Sequence, residues 1–402
     1  MASVPTLTDP GDPPADATAG EHVTARQPPQ YLGIGVGLAL VVAVIVLAFS
    51  WPAVTADPRG VPVVITGPEQ QVTAVSAALQ EKMGKAITLT TVADRDAAVR
   101  AVERREAYGA IVLGAEPEVL KATAASPVAA QLVTEMGNGL QQMLTAMAQA
   151  PSGGAPGGSP DCTAQTTGCT DPSAATDQTA EPDQTAEPDQ ATTQGGTAPS
   201  QAPTVKVSDI APLLEADPRG SGLAAATLPL VLGGMAGGVA ITMLVVGTWR
   251  RVAALVVYAV VAGLVITLLL QTWFGVLGGA YLSNVGVFAL CLLAIGATIV
   301  GFASLVGRPG IAIGPVLFLL IANPIAGVTM PPEFLPAPWG TVGQWFPPGA
   351  GATLVRDLSY FPDASTAAPW LVLVGWTALG LVLAVLAHLR HSRTAPATAA
   401  TA

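Results

Sequence analysis

Histidines, cysteines and glycine-rich motifs are the parts of this sequence that could support catalysis or bind a metal or a nucleotide. The three histidines, His22, His388 and His391, lie near the two ends of the chain, so no histidine-based metal site or catalytic triad can be assembled from them. The Gly84-Lys85 pair precedes Ala86 and lacks the upstream glycine of a phosphate-binding loop. We therefore expect no enzyme activity, no cofactor and no metal site, and no nucleotide hydrolysis by the chain itself.

The elements that carry these residues are dominated by apolar sequence. Of the 402 residues, 51% are hydrophobic and 11% are charged, and the mean hydropathy is +0.54, whereas a soluble domain carries about 25% charged residues. A membrane-spanning helix needs about 20 apolar residues. Six stretches satisfy this requirement and predict an α-helical integral membrane protein with six transmembrane helices: 31–51, 223–247, 252–273, 282–305, 311–328 and 369–387.

Arginine positions predict the orientation of these helices. Six arginines fall on one side of the membrane if both termini are cytoplasmic, as the positive-inside rule requires: Arg26, Arg250, Arg251, Arg308, Arg390 and Arg393. We therefore expect a multi-pass protein of the cell membrane with both termini in the cytoplasm. The alternative for the first stretch is a cleaved signal peptide, but its apolar core of about 19 residues exceeds the usual 7–15.

Residues 52–150 predict a small extracytoplasmic α/β domain inserted between the first and second transmembrane helices. Apolar runs at 61–67, 87–92 and 109–114 indicate strands, and 70–83 and 94–108 indicate helices, with Asp94 as an N-cap. This alternation favours a parallel sheet. Residues 127–150 predict an amphipathic helix that packs on the sheet or forms a stalk or dimer contact; its apolar positions are Leu132, Met136, Leu140, Met143 and Met147.

Residues 151–204 are typical of a disordered acidic linker. They include the repeat DQTAEPDQTAEPDQ and no lysine or arginine, so they cannot bury enough apolar surface to fold. An acidic tract that collects cations is the alternative. Cys162 and Cys169 lie in this segment, where a disulfide and two free thiols are both open. Residues 205–221 then lead back to the membrane, and residues 222–389 are predicted to form a five-helix transmembrane domain with an outer loop at 329–368. Residues 1–30 and 390–402 are predicted cytoplasmic tails.

Charge and small-residue patterns limit the partners. The net negative charge of the chain arises in residues 52–221. The sequence has no clustered basic face of the kind that predicts nucleic-acid binding. The predicted spans contain no acidic or basic relay, so transport against a gradient would need a separate ATPase. Pairs of glycines at four-residue spacing predict close helix packing, either within the chain or at a homodimer seam: Gly233 with Gly237, Gly234 with Gly238, and Gly310 with Gly314.

The stretch NPIAGVTMPPEFLPAPWG, residues 323–340, interrupts the apolar sequence before the last span. Asn323 and Pro324 predict a break at the end of the fifth helix, because proline has no amide hydrogen to continue the ladder. The segment is expected to lie at the membrane interface or dip into it as a gate element; the alternative is a passive surface loop. The candidate residues are Asn323, Pro324, Pro331, Pro332, Pro336, Trp339 and Arg356.

This stretch and its continuation TVGQWFPPGAGATLVRDLSYF, residues 341–361, resemble the outer loop before the last span of type-2 ABC exporter permeases. The nearest branch is the YhgE/Pip group, named for phage infection proteins, which has the same order of one span, a large outer domain and five further spans. The segment IAPLLEADPRGSGLAAATLPL, residues 210–230, is similar to the one leading into that group's second span.

The resemblance implies a permease subunit that acts as a homodimer with a separate ABC ATPase and exports a hydrophobic or amphipathic substrate. The chain departs from the family in two places: residues 1–30 lack an apolar stripe for an elbow helix, and the loop between the second and third spans is only about 248–251. The alternative, in a different functional class, is a non-transporting membrane scaffold or surface receptor that acts through its outer domain.

Overall fold

The structure is a computed structural model that describes residues 29–149 and 204–394. Most of the predicted tails, the predicted linker and the cysteine pair Cys162 and Cys169 lie outside the described residues. The first helix, α1, runs over Pro29–Val54 and is 26 residues long. Within it, the apolar stretch Ala39–Pro52 is shorter than the four long apolar helices described below. Residues up to Trp51 form a unit of their own, so α1 is described by itself.

A five-stranded sheet forms the α/β domain. The order of its strands is β2-β1-β3-β4-β5. β1 pairs with β2 and β3, and β4 pairs with β5, all in parallel, whereas β3 and β4 are antiparallel. The bounds are β1 Val61–Thr66, β2 Ile87–Thr91, β3 Gly109–Val112, β4 Glu118–Lys121 and β5 Lys206–Asp209. The three predicted strands are therefore present and parallel, and the sequence analysis missed β4 and β5.

Three helices pack on this sheet: α2 Glu69–Met83, α3 Arg95–Glu103 and α4 Pro127–Gln149. The Asp94 carboxylate accepts a hydrogen bond from the amide of Ala97 at 2.7 Å, so it is the predicted N-cap of α3. α3 ends at Glu103 rather than at 108, because the chain turns through Arg105 in a left-handed conformation, with φ 58°. α4 packs on the sheet, while Met147 at its end is exposed.

Four described helices are long and apolar enough to span a membrane. α5 is Ser221–Leu244, α6 is Thr248–Thr267 with a π-helical continuation Leu268–Trp273, α7 is Tyr281–Val306 and α11 is Ala367–Thr394. α7 is the most buried of the four, and α5, α6 and α11 all pack against it. Many large apolar side chains of α6 and α11 remain exposed, as expected for a surface that faces lipid.

The predicted fifth span, 311–328, differs in the structure. α8 covers Gly310–Gly314 and continues as a π-helix, Pro315–Ala322. The helical ladder thus stops two residues before Pro324, which cannot donate a backbone hydrogen bond. A 3₁₀ turn at Pro332–Phe334 and two more helices follow, α9 Trp339–Gly343 and α10 Pro347–Tyr360. Residues 329–368, predicted as an outer loop, therefore contain a 14-residue helix.

Candidate functional site

Two half-helices, α8 with its π-helical continuation and α10, lie where the sequence predicts a single fifth span. The contacts of α10 with α7 show which half of the bundle α10 occupies. The Sγ atom of Cys291 lies 3.6 Å from the carbonyl oxygen of Pro347, at the start of α10. Cys291 is ten residues, or about 15 Å, from Tyr281 at the first turn of α7. At the other end of α10, the hydroxyl of Tyr360 lies 3.5 Å from the carbonyl oxygen of Val276. α10 therefore runs from the middle of the bundle to the end that carries the α/β domain, the domain-side end.

The other half of the bundle is filled by α8 and its π-helical extension. A β-carbon on Gly314 would overlap Ile299, in the last turns of α7. The ring of Phe318 packs edge-on against Trp376 of α11 with centroids 5.4 Å apart. The indole nitrogen of Trp376 also donates to the carbonyl oxygen of Trp345 at 2.7 Å, just before α10. The two half-helices thus meet near the middle of α11.

Residues 323–346, here named the hairpin segment, connect the half-helices. The segment leaves the middle of the bundle, reaches the α/β domain and returns. Its two limbs pack backbone against backbone: a β-carbon on Gly343 would overlap the carbonyl oxygen of Ile325, and one on Gly340 would overlap that of Pro332. Only glycine allows this approach.

Side-chain hydrogen bonds tie the hairpin segment to α10. The amide nitrogen of Gln344 donates to the carbonyl oxygen of Ala326 at 3.0 Å, and the hydroxyl of Thr353 donates to the amide oxygen of Gln344 at 2.7 Å. The guanidinium of Arg356 donates to the carbonyl oxygen of Val328 at 3.1 Å. The segment is therefore an ordered, hydrogen-bonded element packed on α10.

Six of the seven predicted gate residues are spread along this hairpin segment rather than gathered at one point, and the seventh, Arg356, lies on α10. The amide of Asn323 donates to the carbonyl of Phe318 at 3.0 Å and ends the helical ladder before Pro324. Pro331 is buried and precedes the 3₁₀ turn that Pro332 opens. The carbonyl of Pro336 accepts a hydrogen bond from the amide of Trp339 at 2.9 Å.

The tip of the hairpin segment joins the α/β domain by backbone and side-chain hydrogen bonds. The amides of Asp57 and Arg59, before β1, donate to the carbonyls of Phe334 and Glu333 respectively, each at 3.1 Å. The hydroxyl of Tyr108 donates to the Glu333 carboxylate at 2.9 Å. Burial and the neighbouring Glu333 charge both raise the pKa of Tyr108, so its hydroxyl keeps its proton.

Apolar contacts make the same junction. Phe334 of the hairpin segment and Phe361, just after α10, belong to one buried cluster with the core of the sheet. Phe361 is 1% exposed, which places it among the most deeply buried side chains described. The α/β domain and the end of α10 therefore share a hydrophobic core.

A buried ion pair crosses this junction. Arg105, at the end of α3, donates a hydrogen bond to the Asp357 carboxylate on α10. Only 15% of the Arg105 side chain and 5% of the Asp357 side chain are exposed, and the guanidinium also lies 5.6 Å from the ring centroid of Phe361.

Arg356 brings a second positive charge to the junction. With Arg219 it lines a cavity of about 180 Å³ between the α/β domain and the bundle. The sequence analysis missed Arg105 and Asp357. The only signal in the sequence was the adjacent base and acid, Arg356 and Asp357, among apolar residues.

The six glycines predicted to allow helix packing all contact other helices of the same chain. Gly237 lies against the ring of Tyr258, whose hydroxyl donates to the carbonyl of Gly233 at 2.7 Å. Gly234 and Gly238 face α7, and so do Gly310 and Gly314. These contacts fit the intrachain alternative, so they supply no argument for a homodimer seam.

Within residues 29–149 and 204–394, no group of three or more histidine, cysteine, aspartate or glutamate residues is placed to hold a metal ion. Cys291 is a buried free cysteine in α7. Comparison of the chain with protein-family models, with curated proteins and with solved structures found no match.

Proposed function

We propose that this chain is the membrane permease subunit of an ABC-type exporter, which moves a hydrophobic or amphipathic substrate outward as a homodimer with a separate ATPase. In this proposal the protein lies in the cell membrane with both termini in the cytoplasm, and the α/β domain is extracytoplasmic. The observation that carries it is the pair of half-helices, α8 with its π-helical continuation and α10, which meet in the middle of the bundle. Transporters use discontinuous helices where backbone lines a pathway.

The contacts of α10 supply a route for coupling. α10 packs on α7 and α11 inside the bundle, and its last turn is fastened to the α/β domain by Asp357 and Phe361. A change in the tilt of α10 would therefore move the domain with it. The sequence of the spans lacks charged relay residues, so the driving energy is assigned to a separate ATPase.

Replacement of Pro324 by alanine tests the export function. The change restores a backbone donor at the break, so we expect the folded protein to keep its thermal stability and to lose most ATP-dependent efflux of amphipathic dyes from cells. The matched control is Pro309→Ala, at the opposite end of the same half-helix, which should leave efflux unchanged. Equal efflux in wild-type and deletion strains across a broad panel of compounds would exclude the proposal.

A non-transporting scaffold or surface receptor is the second candidate. The observation that favours it is the short connection between α5 and α6, residues 245–247. A loop of this length offers an ATPase little surface to bind. Affinity purification of the full chain from lipid nanodiscs separates the two candidates. Stoichiometric recovery of an ATPase supports the permease, and recovery of the chain without an ATPase, together with unchanged efflux on deletion, supports the scaffold.

A further inference from the structure

A cleft opens in the α/β domain between α2 and α4. Its volume is about 450 Å³, within the range of about 300–1,000 Å³ that is usual for small-molecule sites. Ile111 of β3 forms the floor and is 1% exposed. The walls are apolar side chains of the two helices: Val75, Leu79, Met83, Met136, Leu140 and Met143. Three of these are methionines, whose flexible side chains adapt to an apolar guest.

Two charged side chains stand at the mouth of the cleft, Lys82 on α2 and Glu135 on α4, and both are exposed. Among the residues that the structure describes, Lys82 forms no salt bridge. Its ammonium lies 3.8 Å from the point that a β-carbon on Gly139 of α4 would occupy, and both residues line the cleft. An unpaired cation at the entrance of an apolar cleft is complementary to an anionic head group on an apolar chain.

Gly139 gives a second, independent indication that the mouth is kept open. Glycine destabilises the interior of a helix relative to alanine, so its presence in α4 calls for a reason. Gly137, two residues earlier, packs against Val119 at 3.4 Å and has a packing reason. Gly139 faces nothing within 4 Å except the Lys82 ammonium, so no packing contact accounts for the glycine, and its missing side chain leaves space at the entrance.

We propose that this cleft binds a fatty-acid carboxylate, with the acyl chain along the apolar walls and the carboxylate at Lys82. One ammonium matches one singly charged head group, whereas Glu135 on the opposite rim would repel the second charge of a phosphate monoester. The proposal does not rest on the export function, because a receptor would carry the same cleft.

Photoaffinity labelling of the full chain in phosphatidylcholine nanodiscs tests the proposal. The reagent is dodecanoate with a diazirine at the end of its chain, and labelled residues are identified by mass spectrometry. We expect saturable labelling within α2 and α4. Lys82→Ala should weaken binding about tenfold, because a charge-assisted hydrogen bond is lost, and Lys82→Arg should retain it.

Variants of the entrance supply the controls. Gly139→Leu fills the mouth and should abolish labelling, while Asn138→Leu, at an exposed neighbour on α4 outside the cleft, should not change it. Gly139→Ala, which helix propensity favours, should fold at least as well as the wild type and reduce labelling. Undiminished labelling of Gly139→Leu would overturn the site. Stronger labelling by the matching dodecyltrimethylammonium reagent, or stronger competition by lysophosphatidic acid than by dodecanoate, would overturn the head group.

Discussion

At the scale of single residues, the junction between the α/β domain and α10 depends on charges that are removed from water. Arg105 and Asp357 form an ion pair, and Arg105 adopts a left-handed backbone conformation. Such a conformation is uncommon for a residue other than glycine, asparagine or aspartate. The ion pair therefore specifies how the domain sits on α10 more than it adds to stability, since desolvation offsets most of the attraction.

Removing one partner of this pair should be costly. We expect Asp357→Asn to destabilise the protein by about 3–5 kcal/mol, because Arg105 would remain buried without a counter-charge. The double variant Arg105→Met with Asp357→Leu should recover most of this loss, because it leaves no buried charge. Thermal unfolding of the full chain in nanodiscs measures both. Equal losses for the single and double variants would show that the pair acts through packing rather than charge.

The lowered pKa of Glu118 makes the stability of the α/β domain depend on pH. A hydrogen bond from Arg95, at 2.7 Å, is the main reason that the pKa of Glu118 lies below its ordinary value of 4.5. A lowered folded pKa means that the contribution to stability is present above the ordinary pKa and is lost as the pH falls through the folded pKa.

We therefore expect the wild-type domain to weaken as the pH falls below about 4.5, and Glu118→Gln to flatten this part of the curve. Hydrogen exchange of β5 is the measurement, because Ser208 on that strand donates to Glu118 at 2.7 Å. The difference between the two proteins should shrink at high salt, since Arg95 is half exposed. An identical pH profile for the two proteins would contradict the assignment.

At the scale of elements, the sequence was sufficient to predict a helix or strand wherever apolar residues recur over a long stretch or at regular spacing. The strands β1 to β3, the three helices of the domain and the four long apolar helices were all predicted. β4 and β5 were not, because each has four residues with charged ends, and their pairing joins positions about 90 residues apart.

The candidate site was predicted only in part, for a physical reason. The break at Pro324 was visible in the sequence, but α10 was hidden because it opens with Pro347 and Pro348 and contains Gly349 and Gly351, residues that favour loops. In the structure the prolines occupy the first turn, where no amide donor is needed, and Gly351 lies against Cys291 of α7. Tertiary packing, which no local pattern encodes, decides this helix.

The close approach of the two limbs of the hairpin segment gives a prediction at this scale. Gly343→Ala should destabilise the protein by about 1–3 kcal/mol or more, because the new methyl group would overlap the carbonyl of Ile325 and force the backbone apart. Gly375→Ala in α11 is the matched control, since nothing lies within 4 Å of its β-carbon position. It should be neutral or stabilising by up to about 1 kcal/mol. Comparable thermal unfolding of the two variants would contradict the packing.

At the scale of the whole molecule, orientation in the membrane is the property on which the proposed function depends. Among the described residues, the acidic side chains of the membrane region, Glu333, Asp357 and Asp363, lie toward the α/β domain, whereas Arg250, Arg251 and Arg308 flank the opposite ends of the helices. The positive-inside rule then predicts, as the proposed function requires, that the α/β domain lies outside the cytoplasm.

Cysteine labelling tests this orientation. In a background with Cys162 and Cys169 replaced by serine, we expect Ser221→Cys to react with an impermeant maleimide in intact cells and Ser392→Cys to react only after permeabilisation. Both positions are exposed, and the remaining Cys291 is buried. The reverse labelling pattern would invert the topology and remove the basis for an outward-facing domain.

The shared core of the α/β domain and α10 has a consequence for biosynthesis. Ribosomes deliver β1 to β3 long before Phe334 and Phe361, which complete the same buried cluster. Until the last third of the chain emerges, Arg105 and Tyr108 lack their acidic partners and part of the domain core stays open to solvent. Because contacts this far apart in sequence slow folding, we expect the core of the domain to be completed only after the later helices have folded. We therefore expect the α/β domain to be fully folded only in chains whose C-terminal half has also folded.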